Sequence, residues 1–491
     1  MEPIEPSDQQ APKPRTLVMK FGGTSVGTVG AMSQAAEIVR QARREWDRVV
    51  VVTSAMSGVT DLLLSSAARA VGGDTKSIDR AARQLREQHF VVAESLLHDP
   101  FEQSLLKDEI DHLVTVFENL CQAMAVLGES TPRALDAVAA LGERMSVRLL
   151  ASAIGAANVS CQYVEATQLI ITDSQFQAAH PEFEVTREHT HQVLDPVLDR
   201  GEVAVVTGFI AANPQGVTTT LGRGGSDYSA AILGAVLPAD EVWICTDVDG
   251  VMSADPRIVP DALSIPTLTY REIGELAYYG AKVVHPKTIR PVIEAGITLR
   301  VSNTFNPQHP GTRLVAEHSQ EPGQLTLNSN NHIIKAVTAI RGQRLITIEG
   351  RGMLGVPGVA ARAFSAVAAT GTSVPLISQA SSEQSICFAV PQEATRQVID
   401  SLEVAFASEL DRRDIDRVWA TGEVVIVTVV GSGMRNTPGV AGQIFNGLGR
   451  QGVNVVAIAQ GSSEVSISLV VDAADTEIAV RAIHDLIVPR D

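Results

Sequence analysis

Residues 16–25 read Thr-Leu-Val-Met-Lys-Phe-Gly-Gly-Thr-Ser. The run 16–19 is short, apolar and of strand type, and the Ala-rich stretch from Ala31 to Arg43 has helical spacing. A strand, a glycine turn and a helix in that order gather backbone N–H groups and a helix N-terminus at one point. Lys20 adds a full positive charge there. The arrangement suits the phosphates of a nucleotide, although a plain turn also uses Gly-Gly. It is not a P-loop, which requires Gly-x-x-x-x-Gly-Lys-Ser/Thr.

Outward from this point, apolar strand-like runs at 49–53, 203–207, 241–246 and 297–301 alternate with Ala-rich helical stretches. That alternation predicts an α/β domain on a largely parallel sheet. The long helical stretch from Asp61 to about Arg148 predicts a lobe beside the sheet, and the Pro- and polar-rich stretch 303–330 leads the chain out of the domain. An internal repeat follows: RLITIEGRGMLGVPGVAARAF (344–364) aligns without a gap on VIVTVVGSGMRNTPGVAGQIF (425–445) at an offset of 81. The match continues through Gly371/Gly452, Gln379/Gln460 and Glu383/Glu464. Each copy reads strand, glycine loop, helix, strand, turn, strand, and two such units stack to bury a shared face. Gly431-Ser432-Gly433 imitates a dinucleotide fingerprint, but Asn436 holds the third glycine's place and no ribose acid follows at the required distance.

Composition excludes several classes. The 491 residues correspond to about three domains. A net charge of −17 opposes a nucleic-acid partner, which needs clustered Lys and Arg, but not a small anion with its own local positive charge. Cys121, Cys161, Cys245 and Cys387 are scattered with no metal spacing, as expected of reduced thiols. No apolar run approaches the ~20 residues of a membrane span. Residues 1–15 lack a signal peptide's apolar core and read as a disordered tail. A soluble, cytoplasmic protein is expected.

Candidate chemistry clusters after the strand-like runs, where open α/β sheets bind ligands. TSAMSGVTD (53–61) is small and hydroxyl-rich, with Ser54 and Thr60. LGER (141–144) reads as a helix start, where Glu143 is either a ligand contact or a first-turn acid favoured by the dipole. LGRGGSD (221–227) is the most pointed: its glycines allow close backbone approach, Arg223 offers a carboxylate-matching fork, and Asp227, next to Ser226, opens a helix over 228–235. TDVDGVMSADPR (246–257) holds close carboxylates that match no EF-hand spacing, so a turn beside a nucleotide serves as well as a metal site. GAKVVHP (280–286) supplies another lysine, and His285 has no visible acid/base partner and reads as structural. Lysines and glycine amides for phosphates, an arginine for a carboxylate and a positioning aspartate together describe a kinase.

KFGGTSVG (20–27), LGRGGSD (221–227), TDVDG…DPR (246–257) and GAKVVHP (280–286) resemble the aspartate kinases of the amino acid kinase superfamily. The paired repeats are similar to ACT regulatory domains, and the resemblance runs from about Thr16 onward. It implies an open, largely parallel sheet between helical layers over 16–315, then two ferredoxin-like ACT domains at 335–415 and 420–491. It implies the reaction of ATP, with Mg2+, and L-aspartate giving ADP and 4-phospho-L-aspartate. Lys20, Phe21, Gly22, Gly23, Ser54, Thr246, Asp247, Met252, Arg257, Lys282 and Val283 fall on the ATP side. Thr60, Glu143, Arg223, Ser226 and Asp227 fall on the aspartate side, with Lys20 and Asp227 catalytic and no protein metal ligand assigned. Met252 departs from the pattern, since many relatives carry an aromatic there. The repeats resemble those of bifunctional aspartate kinase–homoserine dehydrogenases, although no dehydrogenase domain is expected in these 491 residues. That likeness makes Gln379, Gln460 and Asn454 effector candidates, with threonine favoured over lysine, and implies a homo-oligomer through the ACT units. A different kinase of the superfamily and an amino-acid sensor with a decayed kinase domain are the competing readings.

Overall fold

The computed structural model describes residues 14–279, 284, 286–316, 333–353, 356–379, 384–461 and 465–487. The chain forms two compact units, one running to Val251 and resuming at Val284–Ala316, the other comprising Met252–Val283 and Glu317–Asp491.

The first unit is built on a parallel sheet. Its strand order is Cys161–Val164, Val203–Thr207, Arg48–Thr53, Thr16–Phe21, Glu241–Thr246 and Thr298–Asn303, and Thr312–Val315 joins the last strand antiparallel. Val203–Thr207 and Val49–Val52 are wholly buried, as expected of strands covered on both faces. The direction of strand addition reverses around Thr16–Phe21: the chain next adds Arg48–Thr53 on one side and later Glu241–Thr246 on the other. Such a switch point opens a crevice beyond the strands' C-terminal ends. The expected lobe is four helices, Val59–Val71, Lys76–Leu96, Pro100–Leu127 and Pro132–Ala156. Their apolar faces meet the sheet in one core that includes Leu63, Leu85, Phe117, Leu141 and Phe21.

LGER is not a helix start. The helix begins at Pro132, where the Thr131 hydroxyl accepts the Ala134 amide, so Glu143 lies mid-helix and buried rather than in a first turn. Among the described residues no helix is long and apolar enough to cross a membrane.

The second unit carries the repeats on one sheet, ordered Ile377–Gln379, Ser385–Pro391, Ala336–Glu349, Val424–Val430, Ser466–Asp472 and Ala457–Gln460. Ala336–Glu349 serves both copies. Gln343–Glu349 pairs with Ser385–Pro391 of the first copy, and Ala336–Ile340 pairs with Val424–Val430 of the second. The register slips between Ile340 and Gln343, where the strand passes from one partner to the other. Arg417–Ala420 returns to pair with Ile346–Glu349. The segment Met252–Tyr279 is welded onto this sheet. Buried Glu272 accepts the Thr269 and Ser432 amides at 2.7 Å each and the Lys335 ammonium at 3.0 Å. Burial pushes its pKa up, but Lys335 and these amides outweigh that and hold it below the ordinary value. Ser253 Oγ meets His484 Nε2 at 2.9 Å and accepts the Leu263 amide at 2.8 Å.

Candidate active site

The strand ends at the switch point open into a cavity of about 550 Å3, bordered by Lys20, Gly23, Ser54, Thr60, Glu143 and Arg223 and by Ser226 and Asp227. Four sequence stretches that are far apart in the chain thus meet in one place. Lys20, one residue from the end of its strand, extends to Asp227 at 2.6 Å, and both side chains are largely buried. Asp227 lies in the first turn of the helix Gly225–Val236, capped by Gly224 at φ +70°. The N-terminus of this helix, whose Gly225 amide is taken by the Gly222 carbonyl at 2.9 Å, therefore opens on the same cavity as the lysine. Arg223 is exposed on that rim and makes no ion pair among the described residues.

Across the cavity, Glu143 is held by a close approach of helix to loop. A side chain at Gly142 would bring its Cβ within 2.8 Å of the Ala55 Cβ, so only glycine lets the helix come this near. One Glu143 oxygen then accepts the Ala55 amide at 3.1 Å, and the other is buried without a partner. Burial raises the carboxyl to about 8, and the Ala55 amide only partly offsets this. With one buried oxygen unused, the carboxyl has room for a cation, whose charge would draw the raised pKa back down and ionise it.

Other expected residues are placed differently. Phe21 is wholly buried in the core, and its carbonyl accepts the Ser54 amide at 3.1 Å, so its side chain does not border the cavity. The Gly22 amide donates to the Cys245 carbonyl at 3.2 Å, which ties the glycine turn to the neighbouring strand. Thr246 and Asp247 stand at the end of that strand, and the Thr246 hydroxyl donates to Asp247 at 3.1 Å. Met252 and Arg257 belong to the second unit, where Arg257 is exposed and pairs with Asp255 at 2.6 Å. Lys282, Val283 and His285 lie outside the described residues. Gln379 and Gln460 end the two outermost strands of the repeat sheet, at matching exposed positions, and Asn454 is exposed ahead of the second of these strands.

Sequence reasoning missed Asp136, Gln177 and Phe209, which also border the cavity. Phe209 and Gln177 adopt left-handed φ of +65° and +70°, which side chains other than glycine rarely take. The signal for Phe209 was its place two residues after a buried strand. For Gln177, in an irregular stretch, there was none.

The Amino acid kinase family pattern matches residues 15–303, and the ACT domain pattern matches 346–406 and 427–486. The chain belongs to the amino acid kinase family and carries two ACT domains. It is 38% identical over 469 residues to the chloroplastic bifunctional aspartokinase/homoserine dehydrogenase of Daucus carota, covering 95% of this chain and 50% of that protein. The chain thus spans about half the length of such bifunctional relatives. It is 30% identical to the aspartokinase of Candida albicans, covering 95% of this chain and 89% of that one. The crystal structure of E. coli aspartokinase III in complex with aspartate and ADP matches with a TM-score of 0.76 at 29% identity, covering 96% of this chain and 99% of that chain. The same enzyme in complex with lysine and aspartate matches with a TM-score of 0.73 at 30% identity, covering 96% and 100%.

Proposed function

We propose that this protein is an aspartate kinase, transferring the γ-phosphoryl group of ATP to the β-carboxylate of L-aspartate and regulated by an amino acid at its ACT domains. The observation that carries the reading is the meeting of the Lys20–Asp227 pair, the free fork of Arg223 and the half-satisfied Glu143 carboxyl around one cavity. Aspartate presents a matching set: a carboxylate for Arg223, an ammonium for Glu143, and a second carboxylate to direct at Lys20.

The acceptor oxygen is already ionised at neutral pH, so the reaction requires no strong general base. That oxygen bonds to the γ-phosphorus as the bond from phosphorus to the β,γ-bridging oxygen breaks, and ADP leaves with the electron pair. Lys20, the Gly23 loop and the helix start at Gly225 draw charge off the transferring group, while Arg223 and Glu143 hold the acceptor in line. Asp227 orients the Lys20 ammonium instead of accepting a proton. Mg2+ bound with ATP would shield its phosphate charge, and Asp227, beside Lys20 in the cavity, would be the carboxylate to face it. Ser54 and Thr60 supply hydroxyls, and Thr246, Asp247, Met252, Arg257, Lys282 and Val283 are assigned to the nucleotide side.

In this reading the enzyme works in the cytoplasm as a homo-oligomer joined through its ACT units and opens the route to the aspartate-derived amino acids. Threonine is the favoured effector, and lysine is the rival suggested by the lysine-bound E. coli relative. The test is a coupled ADP assay over aspartate, glutamate and acetylglutamate, with threonine and lysine added in turn. Aspartate-dependent ADP release supports the reading, and release with another acceptor alone overturns it.

A further inference from the structure

Asp136 is buried in the helix Pro132–Ala156, two turns before Glu143, and neither oxygen of its carboxylate is idle. Oδ2 accepts the Gln177 amide at 3.0 Å and the Thr220 amide at 3.0 Å, and Oδ1 accepts the Thr220 hydroxyl at 2.8 Å. These donors come from two otherwise separate stretches. Gln177 belongs to an irregular segment and holds φ +70°; Thr220 ends the short strand Thr218–Thr220, immediately before Leu221-Gly222-Arg223. The two stretches also bind each other, since the Ala179 amide donates to the Thr220 carbonyl at 2.9 Å.

The consequence for the arginine loop is direct. Gly222 sits at φ +77°, and a Cβ there would lie 3.0 Å from the Gln177 carbonyl oxygen, so the Gln177 segment backs the loop one residue before Arg223. From the other side the Leu221 amide donates to the carbonyl of Phe209 at 2.9 Å, and the Gly225 amide closes the turn onto the Gly222 carbonyl at 2.9 Å. Arg223 is presented on a saddle, and one buried carboxylate joins the strand that leads into it to the segment that backs it. A buried anion with three donors is costly to leave half-satisfied, so its loss frees both stretches together.

We propose that Asp136 is a positioning residue that sets the carboxylate-binding geometry of Arg223, and so governs capture of the acceptor substrate without touching it. The inference rests on the aspartate kinase reading for the identity of that acceptor. Asp136→Asn keeps the shape but removes the charge and leaves one accepting oxygen for the two backbone amides, with its NH2 turned to the Thr220 hydroxyl, so the hold on both stretches weakens. A shift of the arginine loop by a fraction of an ångström then weakens substrate capture. The aspartate KM should rise about tenfold or more while the ATP KM stays within about twofold. Amide hydrogen exchange at Gln177 and Thr220 should accelerate, and exchange in the helix Gly225–Val236 should not. Thr220→Val, which deletes one bond of the three, should give a smaller rise in aspartate KM, and Thr220→Ser should reverse that rise. This variant pair keeps the test open if Asp136→Asn fails to fold.

A folded Asp136→Asn protein with unchanged aspartate KM overturns the proposal, as does a fall in kcat with both KM values unmoved. Unchanged exchange at Gln177 and Thr220 overturns it as well. Wild-type inactivity on aspartate would instead strike the aspartate kinase reading, and the exchange measurement still decides the role of Asp136.

Discussion

Acidifying the solution from pH 8 to pH 6 is expected to weaken aspartate binding steeply, and the cause lies in Glu143. Its carboxyl is raised to about 8 by burial, with one oxygen unpartnered. In the proposed complex that oxygen faces the substrate ammonium, which needs the ionised form. The ionised fraction of the free protein is about one half at pH 8, one tenth at pH 7 and one hundredth at pH 6. Apparent affinity scales with this competent fraction, so the dissociation constant rises about fivefold from pH 8 to pH 7 and about tenfold from pH 7 to pH 6. Binding pulls the carboxyl pKa down, and about one proton leaves per aspartate bound at pH 7. Aspartate keeps its own charges across this window, so the slope reports the protein. Without ligand the sign is opposite to that of a salt-bridged acid. The folded chain holds a proton that the unfolded chain releases between the ordinary 4.5 and about 8, so the group's contribution to stability falls as pH rises through that range. Titration calorimetry at pH 6, 7 and 8 in two buffers of different ionisation enthalpy measures both affinity and proton release. Glu143→Gln should bind weakly and without a pH slope. Equal affinity at pH 6 and pH 8 with no proton released would refute the assignment of Glu143 to the ammonium.

Lys20→Ala should lower kcat by roughly 10²–10³ in a protein that still folds, although Asp227 loses its counter-charge, since one electrostatic contact to the transferring group is lost; near-normal turnover removes Lys20 from the mechanism. Arg223→Lys keeps the charge but loses the two-pronged geometry, so aspartate KM should rise with little change in ATP KM; the reverse pattern exchanges the two subsites. Gln379→Ala and Gln460→Ala should raise the threonine concentration for half-inhibition, within the roughly 5–150-fold range of typical allosteric coupling. Inhibition by lysine alone, or by neither amino acid, rejects threonine as the effector.

The glycine loops were readable because each follows a buried run, where the chain must turn and a parallel sheet leaves its ligand crevice. Lys20 and LGRGGSD therefore stood out before any contact between them was visible. The repeat was readable from its gapless offset. Glu143 was harder to place, because Gly142 beside it imitates a helix boundary. The true boundary signal, Thr131-Pro132, lay eleven positions before Gly142. Asp136 carried no local mark at all: its significance depends on donors at Gln177 and Thr220, supplied by distant parts of the chain. The attachment of Met252–Tyr279 to the repeats was equally hidden, since Glu272 looks like an ordinary capping-box acid until Lys335 and Ser432 meet it.

The strand Ala336–Glu349 gives its two halves to different repeats. Duplicated segments are usually pictured as beads, each removable with its own fold intact. Here an excision at the repeat boundary would take from one bead an edge that the other has already claimed, leaving a row of bare backbone donors and acceptors. Heating should therefore unfold the pair in one transition instead of two. Disturbance at one copy has a continuous length of backbone by which to reach its twin.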